Sequence, residues 1–88
     1  MTMDPAEQAI LEALKASGVG KSICPTQAAR HLAGNPVDET WRRSLAPVRL
    51  AAQRLAKAGQ IEILRKGKPI NPDVLHGVIR LRLAHQEG

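Results

Sequence analysis

The sequence predicts an α+β domain, mainly α, from three observations. Three segments with helical spacing of apolar residues come first, two segments of period-two alternation follow, and capping or stop residues separate them. With 88 residues the chain is expected to form one domain, burying only ~60% of the surface its unfolded form exposes. It has no Phe or Tyr and one Trp, so the core is expected from Leu, Ile, Val and Ala.

The first helix is expected over 5–17. Asp4 can cap it, Pro5 suits the first helical position, and Glu7 can reach back to the cap. Ile10, Leu11 and Leu14 then face inward, and Gly18 ends the helix. The run GVGKS after it invites a phosphate-loop reading, but Lys15 stands where that motif needs its first glycine, and a helix precedes it where a strand is required. A short strand over 21–23 leads to a second helix over 25–33, started by Cys24, Pro25 and a capping-box Gln27, with Ala28, Ala29 and Leu32 inward. Gly34-Asn35-Pro36 breaks it. Asp38 then caps a short turn that carries Trp41 toward the core, and at such a junction a lone Trp is read as a packing anchor.

The third helix is expected over 44–58. At ~100° per residue, Trp41, Leu45, Val48, Ala52 and Leu55 form one stripe, while Arg43, Leu50, Gln53, Arg54 and Lys57 point outward. Ser44 is expected to cap it, Pro47 falls in the first turn, and Gly59 supplies a left-handed stop. Strands follow over 61–65 and 78–83, joined by a loop over 66–77. Directly opposed residues of an antiparallel pair share a face, so paired numbers must sum to an even value. Ile63 with Leu81 and Glu62 with Arg82 satisfy this, as does a register shifted by two.

Three helices followed by a hairpin with a protruding loop is the winged helix-turn-helix order, in which the third helix is offered to the DNA major groove and the loop is the wing. Charge points to the same parts of the chain. Residues 41–83 hold ten Lys and Arg against Glu62 and Asp73, a net charge of +8 on a chain of net +5. Such a footprint suits a polyanion partner; the plainer reading is a solvated basic face. The segments KSICPTQAAR, VRLAAQRLAKAGQIEILRKGKPINP and GVIRLRL resemble a bacterial domain-of-unknown-function family, number 3253, over about Ala6 to Leu83, with the ICP and RKGKP blocks the most specific. The resemblance implies a winged-helix-like domain and brings no catalytic residues with it.

The expected partner is duplex DNA, bound by Arg42, Arg43, Arg49, Gln53, Arg54 and Lys57 on the third helix and its approach, and by Arg65, Lys66 and Lys68 on the wing. Arg and Lys would neutralise phosphates, while Arg43, Arg49 or Gln53 reach base edges. The alternative is a protein-docking module, suggested by Leu50 in the middle of the outward face and by the lack of an obvious extra helix for a dimer. No enzyme chemistry, cofactor or metal is expected: His31, His76 and His85 fall in separate segments without ligand spacing. Cys24, at a helix start near Lys21, invites a redox-sensor reading; without a second cysteine the favoured reading is a largely buried packing residue. No apolar run approaches the roughly 18 residues of a membrane span and no secretory signal is seen, so the expected location is the cytoplasm.

Overall fold

The computed structural model describes residues 4–18, 20–34, 37–74 and 77–84. Helix α1 runs Pro5–Ser17, and the Asp4 carboxylate accepts from the N–H groups of Ala6 and Glu7 at 3.1 and 3.4 Å, satisfying donors that no helical turn can reach. Strand β1 is Ser22–Ile23 and α2 is Pro25–Leu32. Gln27 Oε1 accepts the Cys24 N–H at 3.0 Å, the reach-back of a capping box. A 3-10 helix, Glu39–Ser44, follows under an Asp38 cap and runs directly into α3, Leu45–Lys57. Strands β2 (Ile61–Arg65), β3 (Lys68–Pro69) and β4 (Arg80–Leu83) complete the described elements. The fold is thus α+β and mainly helical, with a small antiparallel sheet, consistent with a winged-helix layout.

Among the described residues the sheet has four strands in the order β1-β4-β2-β3, so the two-residue strands form both edges. The β2–β4 register pairs Ile63 with Leu81 and Glu62 with Arg82, the first of the two registers that the shared-face argument allows. Arg82 closes its pair by donating to Glu62 at 2.8 Å. On the other side of β4, Ile23 pairs with Leu81. Ile23, Leu81 and Ile63 therefore stand in one row across three strands, each at most 1% exposed. Facing this row, Ile10 and Leu14 of α1, Ala28 and Ala29 of α2, and Val48, Ala52 and Leu55 of α3 complete the core.

Several boundaries and roles differ from the sequence expectation. Ser44 does not cap α3: its backbone is already helical, its side chain makes no capping bond, and the Leu45 N–H is satisfied by the Arg42 carbonyl of the preceding 3-10 turn. The third helix is accordingly 45–57 rather than 44–58. At its other end Gly59, at φ +79°, closes it as expected, with Gly59 N–H bonded to Ala56 O and Gln60 N–H to Leu55 O. The first strand and second helix are each one residue shorter than expected, within the fraying of element ends.

The expected loop over 66–77 is the larger correction, because the chain turns back at once. Lys66 and Gly67 both have positive φ, the requirement of a type I′ two-residue turn, and Arg65 pairs with Lys68 across it. Leu64 then lies between Pro69 on one side and Arg80 on the other, and these ladder neighbours explain why it is buried although alternation puts it on the outer face. The last strand begins at Arg80 rather than 78; Ile79 is buried ahead of the first ladder pair, and Val78 is exposed. Asn35, Pro36, Leu75 and His76 lie outside the described residues.

Candidate nucleic-acid interface

The approach to α3 is built around Trp41. The indole is 9% exposed, with the Arg30 guanidinium 4.9 Å and the Arg42 guanidinium 5.2 Å from its ring centroid. The expectation of a packing anchor is met, and stacking on both arginines fixes the 3-10 helix against α2. Arg42 also pairs with Glu39 at 3.1 Å, so its charge is partly answered within the same turn.

The other candidates fall into two groups. Gln53 is half-buried and donates from Nε2 to the Pro72 carbonyl at 3.0 Å, which holds the chain after β3 against α3. One turn on, Lys57 pairs with Asp73 at 2.6 Å and fastens the same segment. Arg54 reaches Asp4 at 3.2 Å and Glu7 at 3.3 Å, tying α3 to the start of α1. These three outward side chains thus have intramolecular partners, and Gln53, expected at a base edge, has one of its two amide N–H donors occupied. Arg43, Arg49, Arg65, Lys66 and Lys68 make no ion pair among the described residues; Arg43 lies near the end of the 3-10 helix, Arg49 in the first half of α3 and the others around the β2–β3 turn. Arg49 is half-buried and the other four are exposed. Gly77 passes beneath the Arg65 guanidinium, where a β-carbon would stand 3.6 Å from the charged group.

The partners of Arg54 were beyond reach of local sequence reasoning, since Asp4 and Glu7 lie 50 and 47 residues away and already read as capping residues. Arg54→Ala is expected to lower stability by less than about 1 kcal/mol, the usual worth of exposed ion pairs, measured by thermal unfolding at low and high salt. Two further arginines were missed as well. Arg80 binds Ser22 through its hydroxyl at 2.7 Å and its carbonyl at 2.9 Å, and Arg30 packs on Trp41. Only the tertiary fold brings either pair together.

Cys24 is half-buried rather than largely buried, because as the N-cap it stands outside the first turn while Pro25 takes the buried position. With no partner thiol in the chain, iodoacetamide should label the native protein at one equivalent, more slowly than a free thiol. The mass shift followed in native and unfolded protein measures this, and equal rates would contradict the partial burial.

His31 is held by Glu12 at 2.8 Å, and His76 and His85 lie outside the described residues. Among the described residues no group of three His, Cys, Asp or Glu is placed to hold a metal ion, and no helix is long and apolar enough to cross a membrane. Comparison with curated proteins finds no match. Residues 3–84 match the family described as protein of unknown function (DUF3253), a span that covers all of the helices and strands above, and the chain belongs to that family.

Proposed function

We propose that this domain binds duplex DNA in the cytoplasm, as a regulator of transcription, through the start of α3 and the β2–β3 turn. The observation that carries the reading is the distribution of cations. Arg43 at the end of the 3-10 helix and Arg49 in the first half of α3, together with Arg65, Lys66 and Lys68 around the β2–β3 turn, have no carboxylate partner among the described residues, while Arg54 and Lys57 further along α3 do. These are the two parts that a winged helix offers to a groove and to the flanking phosphates. Helix entry from its N-terminal end also agrees with the engagement of Gln53 and Lys57 by the chain at 72–73, which occupies the second half of the outward face.

Binding to random-sequence duplex, followed by fluorescence anisotropy from about 50 to 200 mM salt, tests the reading. A steep loss of affinity with salt supports it, and no binding near 50 mM sinks it. Arg49→Ala should change the preference among sequences, by about 1–3 kcal/mol at the base it reaches if that pairing is bidentate. One observation favours protein docking instead: Leu50, on the same face, is 56% exposed. Leu50→Glu would then abolish partner capture, whereas on the DNA reading it acts as one more repulsive charge.

A further inference from the structure

A groove of about 310 Å³ opens between the C-terminal half of α1 and helix α2, walled by Ala13, Ala16 and Ser17 on one side and Gln27, Arg30 and His31 on the other. No carboxylate lines it. Among the described residues the Arg30 guanidinium makes neither an ion pair nor a hydrogen bond, yet it is not loose, being stacked at 4.9 Å on the nearly buried indole of Trp41. Stacking leaves the in-plane N–H donors of a guanidinium available while restricting its rotamers, so less entropy is lost when an oxyanion is paired. Gln27 has its Oε1 engaged by the Cys24 N–H, which leaves its Nε2 donors without a partner among the described residues, and the Ser17 hydroxyl has none either.

Glu12, next in sequence to Ala13, is committed to other partners. His31 Nε2 meets it at 2.8 Å and Gln8 donates to it at 3.2 Å; these hydrogen bonds hold its carboxyl below the ordinary carboxylate range. The same pairing fixes the His31 ring as a wall of the groove. Ala13 and Ala16 supply an apolar floor. A volume at the lower end of the ~300–1,000 Å³ typical of ligand sites fits a small molecule and not a peptide.

We propose that this groove binds a small oxyanion, a carboxylate or phosphate monoester on a short carbon skeleton, whose charged head pairs with Arg30 and is hydrogen-bonded by Gln27 and Ser17. The skeleton lies over Ala13 and Ala16. Arg30 rests on Trp41, which belongs to the 3-10 helix leading into α3, so occupancy changes the surroundings of the indole. None of the residues lining the groove is among the cations assigned to DNA, and the proposal stands whether or not the domain binds DNA.

Trp41 is the sole tryptophan and reports directly. Its fluorescence is titrated with inorganic phosphate in one arm and malonate in the other, at constant ionic strength set by chloride, alongside amide shifts of Ser17, Gln27 and Arg30 in the labelled protein. The expected result is a saturable change in the millimolar range or below, retained in Arg43→Gln and weakened at least tenfold in Arg30→Gln. A larger response to phosphate assigns phosphate monoesters, and a larger response to malonate assigns carboxylic acids. Should Arg30→Gln perturb the fold, the amide shifts of the native protein decide alone. Shifts no larger than those given by chloride, or a response equal in both variants, would overturn the proposal.

Discussion

Replacing Lys66 and Lys68 together by Glu is expected to weaken duplex binding by about one to two orders of magnitude near 50 mM salt, to a similar extent for every sequence. Both ammonium groups are exposed at the tip of the β2–β3 turn, and neither has a carboxylate partner among the described residues. Their contribution is therefore with phosphates, and each phosphate left without its ammonium should lower the slope of log K against log salt by about 0.9. A fall of about 2 in the slope is the specific signature, read from anisotropy titrations at several salt concentrations. Lys66 sits at φ +53°, a conformation as unfavourable for Glu as for Lys, so the exchange changes charge and leaves the turn's geometry alone. An unchanged affinity and slope would place the turn off the DNA.

Leu81→Ala should be the most damaging single truncation in the sheet. Leu81 is fully buried in β4, between Ile23 of β1 and Ile63 of β2, at the centre of the row that joins three strands. Removing the isobutyl group is expected to cost about 2–5 kcal/mol, because paired backbones on both sides keep the cavity from closing. In a domain this small each kcal/mol is worth about 4–8 °C in Tm, so a drop of about 8 °C or more is expected in thermal unfolding followed by circular dichroism. Leu83→Ala, at the half-buried end of the same strand, should cost clearly less. Equal losses at the two positions would show that the row is not the centre of the core.

Much of this arrangement was legible because its signals are local. The Asp4 cap, the Gln27 reach-back and the Gly59 stop each act within five residues, and the parity of two alternating strands restricts the β2–β4 register to even sums, of which the structure has one. What was not legible depends on partners far apart or on elements too short to show a period. Strand β3 has two residues, fewer than any alternation needs, so Lys68-Pro69 read as loop. Ser44 carried a capping side chain at a plausible start, but the 3-10 turn before it had already supplied the carbonyl that a cap would replace. In the candidate interface, charge alone made Arg43, Arg54 and Lys57 equivalent. The fold separates them by bringing Asp4, Glu7 and Asp73 to the latter two.

The two edges of the sheet limit what else the chain can join. A strand edge is a row of unused N–H and C=O groups, and a long flat one invites another chain to pair and propagate into fibres. Here β1 offers two residues, and β3 offers two of which Pro69 has no N–H to give and Lys68 brings a charge that a second copy would repel. Backbone addition at either edge would begin with too few hydrogen bonds to hold a strand in register. Among the described residues, neither edge is therefore a template for self-propagating growth.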